Sequence, residues 1–283
     1  MTTLIIGGSG FLGTELTRQA AAAGHSTAAT FATAPGDPSQ AKWHPLDLRQ
    51  TGHLEQVLAD VQPDLVVNVA SSKASWTVTA QAPIRIALAA AQRGFRLVHV
   101  SSDAVFSGER VHYTESDLPD PTSPYGAMKA AAETGVLAVA PQALVARTSL
   151  IIGRGQSVHE RAVHELAAGT REGALFTDDI RCPVFVEDLA AALLELAATE
   201  ETGVRHLAGA DAVSRHELGT LIAGRDGLDA SRLRTGLRAD TALPGALDVR
   251  LDSRATQQEL RTQLRGVREF CTAGVSGAPG NGS

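Results

Sequence analysis

The chain has 283 residues, 43% of them hydrophobic, with 25 basic and 31 acidic side chains and a formal net charge of −6. That length allows one large domain or two modest ones around a sizeable core, and the mildly acidic balance speaks against a general nucleic-acid or anionic-membrane surface. The two cysteines, Cys182 and Cys271, stand too far apart for a disulfide framework or metal-ligand spacing, which fits a reducing cytoplasm.

The N-terminus carries no basic leader region, and its short apolar run ends in glycines. "LAAALLEL" is too short to span a bilayer and has acidic flanks. A soluble cytoplasmic protein without membrane or nucleic-acid partners is expected.

The elements alternate along the chain. "TTLIIGG" reads as a buried strand and "GTELTRQAAAAGH" as a helix ending near Gly24. "STAATFA" is a second strand, and "AKWHPLDL" holds a third. "TGHLEQVLADVQP" is a helix stopped by Pro63, "DLVVNVAS" a strand, "APIRIALAAAQRG" a helix ended by Gly94, and "RLVHVSS" the next strand. "SPYGAMKAAAETGVLAVAP" is a helix with Pro124 in its first turn, followed by the strand "ALVARTSLII". Apolar strands alternating with helices predict a parallel sheet covered on both faces: an α/β, Rossmann-type doubly wound fold.

After Ile152 the rhythm loosens. "SVHERAVHELAAG" reads as helix, and "RCPVFVEDLAAALLELAATEETG" as a short strand and a helix. "SRHELGTLIAG" opens with a capping box, Ser214 and Glu217, and "LDSRATQQELRTQLRGVREF" reads as one last helix. The division expected is a dinucleotide-binding unit over 1–152, a smaller substrate-binding lobe over 153–270 and a disordered tail over 271–283, with later segments returning to the first sheet.

Gly7, Gly10 and Gly13 occupy the first strand-to-helix junction, with Phe11 and Leu12 between the last two. There glycine allows a tight turn, close approach of a pyrophosphate and helix-to-strand packing, while the helix start offers free N–H groups to phosphate. Dinucleotide sites commonly place an acid about twenty residues on, against the ribose 2′-OH. Here the second strand ends "TFATAPGD", and Asp37 comes late. The missing carboxylate favours NADP, while the lack of a nearby arginine leaves NAD open.

Tyr125 and Lys129 stand four apart on one helix face. Ser102 ends the strand before them, and carboxyl ends of parallel strands face the ligand crevice. A phenol is a poor acid–base catalyst at neutral pH unless an ammonium favours the phenolate. Tyr125 is therefore expected to pass a proton to a carbonyl oxygen as hydride reaches carbon, with Ser102 hydrogen-bonding the same oxygen and Lys129 tuning the phenol.

"GGSGFLG", "SSDAVF" and "YGAMK" together resemble an extended short-chain dehydrogenase/reductase, and more narrowly the dTDP-4-dehydrorhamnose reductase branch. The likeness continues through "VARTSLIIG", "RCPVFVEDLA", "HLAGADAVSRHELG" and "VRLDS". It implies NAD(P)-dependent hydride transfer to a 4-keto nucleotide sugar or a related keto compound, with Ser102, Tyr125 and Lys129 catalytic. It also implies that Asp47 and Leu48 lie near the adenine, and Val69, Ala70 and Ser71 near the nicotinamide half. Where the superfamily holds a relay asparagine, this chain has Thr79. A homodimer is left open.

Asp103, Arg147 and Arg181 are the candidates toward the substrate, the arginines and Arg154 for a diphosphate. His159 and His164 are five apart, the wrong spacing for two ligands on one helix face, and read as solvated surface; no metal site is expected. His99 reads as a buried core histidine, and Glu187 and Asp188 as first-turn acids of a helix. An epimerase or dehydratase is one alternative, although Asp103 is followed by Ala104 rather than the glutamate usual in dehydratases. A non-catalytic nucleotide-binding regulatory subunit is the other.

Overall fold

The computed structural model describes residues 1–272. Seven strands form one parallel sheet: β1 (Thr2–Ile6), β2 (Ser26–Phe31), β3 (Lys42–Pro45), β4 (Leu65–Asn68), β5 (Arg96–Ser102), β6 (Leu144–Thr148) and β7 (Gly203–Leu207). Their spatial order is β7-β6-β5-β4-β1-β2-β3, so the winding reverses between β1 and β4 and opens a crevice at their carboxyl ends. β7 is the later segment that returns to the sheet, paired in register from Gly203 against Leu144 to Leu207 against Thr148.

The apolar alternation inside each strand builds two cores. Leu4 and Ile6 of β1 face α2 (His53–Val61), α3 (Ala82–Arg93) and α4 (Pro124–Val139). Ile5 faces the other way, onto α1 (Phe11–Ala22) and α6 (Val186–Ala197). A third cluster joins α5 (Val158–Ala168), α7 (Arg215–Asp226) and the C-terminal α9 (Val267–Thr272) around Val163, Leu218, Ile222 and Phe270. The close approach of α1 to β1 needs Gly13, where a Cβ would overlap the Gly7 carbonyl and the Gly8 backbone.

Several expectations change at the level of single elements. The strand through Ile152 is broken: β6 ends at Thr148, and Ile151–Ile152 pairs separately with Val184–Phe185. Ser149, at the break, turns its hydroxyl to Asp103 at 2.7 Å. The single last helix is split into α8 (Arg254–Glu259) and α9. Leu260 and Leu264 bury against the sheet while Val267 and Phe270 bury in the C-terminal lobe, and one straight helix cannot serve both. The freed backbone is satisfied by side chains, with Glu195 accepting from the Arg261 and Thr262 amides.

Ser214 caps α7 by accepting from the Glu217 amide, but the Glu217 carboxylate turns to Arg268 instead of closing the box. The reciprocal box is at Ser157 and Glu160. Glu187 and Asp188 stand in the first turn of α6 as expected. Of the tail over 271–283, Cys271 and Thr272 belong to α9, with Cys271 buried; residues 273–283 lie outside the described residues. Among those described, no helix is long and apolar enough to cross a membrane.

Candidate active site

The carboxyl ends of the strands open on a cavity of about 720 Å³. The turn after β1 supplies Gly7, Gly10, Phe11 and Leu12 to its wall, the turn after β3 Asp47 and Leu48, and the turn after β4 Val69, Ala70 and Ser71. Gly13 lies beneath, in the α1–β1 contact. Helix α1 begins without a side-chain cap, so its first-turn N–H groups are free to take an anionic ligand. A Cβ on Gly10 would meet only the Gly7 carbonyl, at 3.3 Å.

The residues present fit a dinucleotide with its pyrophosphate at this uncapped turn. No carboxylate stands at the end of β2, where Phe31 and Ala32 line the cavity. Asp37 is engaged by Ser39 and does not line it. The expectation that no arginine is close is corrected: Arg49, eighteen positions further along the chain, reaches the same lip and pairs with Asp47 at 2.8 Å. Pairing across the β2–β3 edge brings it there, which local sequence spacing does not show.

A second cavity of about 680 Å³ continues from the first, and the two share Phe11, Ser102, Tyr125, Ser149, Ile151 and Val158. Three local features place the phenol and hydroxyl at this junction. Ser102 is the last residue of β5, Pro124 opens α4, and Ser123 caps that helix by accepting from the Gly126 amide. Gly126 admits the close approach, because a Cβ there would overlap the Ala104 carbonyl just beyond Ser102. Ser102 accepts from the Ala104 amide and donates to Asp103 Oδ1 at 3.2 Å.

Burial pushes the Tyr125 phenol above its ordinary pKa of 10.0, the Asp103 carboxylate adds to the rise, and the Ser71 and Ser102 hydroxyls act the other way. The expectation that Lys129 lowers it is not met. Lys129 is buried, lines the first cavity and donates to the Val100 carbonyl at 2.9 Å. Burial lowers the lysine itself to about 8, with Glu133 opposing that fall. Thr79, expected near a relay water, is also committed elsewhere. Its hydroxyl donates to the Ser72 carbonyl and accepts from the Ser72 amide, in a π-helical turn over Thr77–Gln81 that the sequence pattern does not show.

On the substrate side the structure separates the candidates. Asp103 and Arg181 line the second cavity and lie 3.6 Å apart. Arg147 points away from it: the guanidinium grips Glu133 at 2.8 Å inside the protein, both side chains 3% exposed. Arg154 is exposed and pairs with Glu187.

His159 is not solvated surface. It lines the second cavity, and burial together with the Arg215 cation lowers its pKa to about 3. His164 pairs with Asp226 on the outside. His99 is buried as expected, with Nδ1 at 3.1 Å from the Asn68 amide nitrogen.

Sequence reading missed Lys73, Asp179, Arg215 and Arg238. They converge on the second cavity from separate segments. Arg181, Arg215 and Arg238 lie 2.9, 3.1 and 3.5 Å from the buried Asp179 carboxylate. Antiparallel pairing of Ile180–Arg181 with Val213–Ser214 brings Arg215 to Asp179. The short spacing of Asp179 and Arg181 is the one local signal.

An α/β dinucleotide-type cleft that ends on a serine, a tyrosine and a lysine defines the class of protein. The chain belongs to the extended short-chain dehydrogenase/reductase-like family of dTDP-4-dehydrorhamnose reductase: the family described as RmlD substrate binding domain matches residues 1–272.

The dTDP-4-dehydrorhamnose reductase of Mycobacterium tuberculosis is 32% identical over 248 residues, covering 82% of this chain and 77% of that one. Methionine adenosyltransferase 2 subunit beta of Rattus norvegicus is 26% identical, covering 82% and 74%. A solved structure of MoeE5 in complex with UDP-glucuronic acid and NAD has a TM-score of 0.82 at 26% identity, covering 96% and 97%.

Proposed function

We propose that the protein is an NADPH-preferring reductase that converts a keto group of a nucleotide sugar, of the dTDP-4-dehydrorhamnose type, to an alcohol. The observation that carries the reading is the junction: a dinucleotide-sized cavity and a second, cationic cavity meet at Ser102 and Tyr125. The reductase relative and the nucleotide-sugar complex support it. The division of labour proposed is cofactor binding by 1–152 and substrate binding by 153–270, with α6 and β7 lent back to the sheet.

Gly7, Gly10, Phe11 and Leu12 would hold the pyrophosphate, Asp47 and Leu48 the adenine, and Val69, Ala70, Ser71 and Lys129 the nicotinamide half. NAD fits the same walls, and Arg49 together with the missing β2 acid favours the 2′-phosphate. When bound, the reduced nicotinamide supplies hydride to the carbonyl carbon.

Tyr125 gives its proton to the carbonyl oxygen, Ser102 donates a hydrogen bond to that oxygen, and solvent restores the phenol. The second cavity is lined by four cations, Lys73, Arg181, Arg215 and Arg238, and two carboxylates, Asp103 and Asp179. The cationic surplus suits the two negative charges of a nucleotide diphosphate.

A second reading, a nucleotide-binding subunit without turnover, is favoured by the relative that is a subunit of another enzyme and by the commitment of Thr79 to its own loop. The test mixes the protein with NADPH or NADH and a panel of dTDP- and UDP-keto sugars, following cofactor absorbance and products. Oxidation faster with NADPH supports the proposal. An isomerised sugar without net oxidation indicates an epimerase, and cofactor binding with no product indicates the subunit.

A further inference from the structure

His159 reaches the second cavity from the first turn of α5, one residue after Val158, which lines both cavities. Its neighbour Lys73 holds Nζ 6.0 Å from the centre of the Tyr125 ring. These two contacts put the imidazole beside the junction where a substrate carbonyl would meet Ser102 and Tyr125.

The hydrogen bonds around the ring decide where its proton sits. Arg215 is held at both ends, its amide donating to the Asp179 carbonyl at 3.0 Å and its Nε to the Asp179 carboxylate at 3.1 Å. That leaves Nη1 of Arg215 3.4 Å from Nδ1 of His159. A guanidinium can only donate, so Nδ1 accepts and the ring proton goes to Nε2. Nε2 is open to the cavity, with no protein acceptor among the described residues.

A second proton is opposed from every side. Arg215 from α7 and Lys73 from the loop after β4 are cations facing the ring. The two carboxylates nearby are already engaged. Asp179 is shared by Arg181, Arg215 and Arg238. Glu160, next on the same helix, is taken by Arg225 and by the Gly153, Gly155 and Ser157 amides. Burial acts in the same direction.

We infer that His159 is a specificity-determining residue of the proposed substrate site: with Nδ1 fixed through Arg215 by Asp179, its Nε2–H is a neutral donor that reads an oxygen substituent of the sugar. The division of labour is then by charge, with arginines on the diphosphate and an uncharged donor on the sugar. The sugar contact rests on the nucleotide-sugar reading, whereas the tautomer is a property of the protein alone.

The tautomer is measured first, on the unmodified protein. The chain has nine histidines, and the ¹⁵N signals of the histidine-labelled protein identify His159 by comparison with His159→Gln. The expected pattern at neutral pH is an unprotonated Nδ1 and a protonated Nε2. A proton on Nδ1, or an imidazolium, overturns the inference.

The contact is then measured by titrating the NADP-loaded protein with dTDP and with dTDP-glucose. His159→Phe should weaken dTDP-glucose about tenfold and leave dTDP unchanged, while His159→Gln, which keeps a terminal N–H, should recover most of the loss. An unchanged dTDP-glucose affinity in His159→Phe, an equal loss for both ligands, or no recovery with glutamine overturns the sugar contact. A parent that binds neither ligand sinks the nucleotide-sugar reading and the contact with it, whereas a wrong tautomer in a protein that binds both sinks the inference alone.

Discussion

Burial keeps the Tyr125 phenol protonated across the neutral range and so able to donate, while making it a weaker acid than a free phenol. Tyr125→Phe keeps the ring and its packing but removes that proton. Turnover should fall by at least about 10²-fold while the affinity for NADPH, read by titration, stays near the parent value. Near-parental turnover on a confirmed substrate would remove Tyr125 from the mechanism. Lys129 makes a prediction about stability. Its pKa is about 8 in the fold against an ordinary 10.5, so between those values the unfolded chain binds a proton that the folded chain lacks. The contribution of this group to stability therefore rises with pH across that window, and below pH 8 the full cost of burying the ammonium is carried. The stability of the parent relative to Lys129→Met should therefore rise between pH 8 and 10.5 in denaturant melts. A difference that stays constant over that range would show that the buried lysine does not titrate there.

The glycine turn separates two tasks that one motif merges. Gly10→Val adds a side chain toward the cleft with only the Gly7 carbonyl nearby, so the protein should fold and lose at least tenfold in NADPH affinity, about 1.4 kcal/mol. Gly13→Val drives a side chain into the Gly7 and Gly8 backbone and should lower the melting temperature instead. Equal melting temperatures for the two variants would contradict the packing described. This turn was legible in the sequence because glycine spacing and the strand-to-helix change are local signals, and the same holds for Pro124 and the Tyr125–Lys129 spacing on α4. Arg49 and Arg215 were not legible, since strand pairings between distant segments bring them to their cavities. Arg147 reads like a phosphate ligand in the sequence, and only the packing of α4 on β6 shows that Glu133 takes it. The split between α8 and α9 was hidden because its helical pattern runs through Leu260, where two different cores pull the chain apart.

At the scale of the molecule, cofactor and substrate are proposed to approach from opposite ends of one crevice and meet at a single phenol. The cations of the second cavity then act on the sugar nucleotide and not on the dinucleotide. Arg238→Ala, which removes one guanidinium 3.5 Å from Asp179, should raise KM for the sugar nucleotide about tenfold and leave KM for NADPH unchanged, because a lost charge-assisted contact to phosphate weakens uniform binding. A rise in both constants would place Arg238 in the fold and not in the pocket. The most direct measurement follows the hydride: the protein is given a cofactor deuterated at its transferable position together with a dTDP-4-keto sugar, and the product is examined by mass spectrometry and NMR. The account predicts one deuterium on the former carbonyl carbon and one cofactor oxidised per alcohol formed. An unlabelled product, or a cofactor that binds and is never oxidised across the panel of keto sugars, would contradict it.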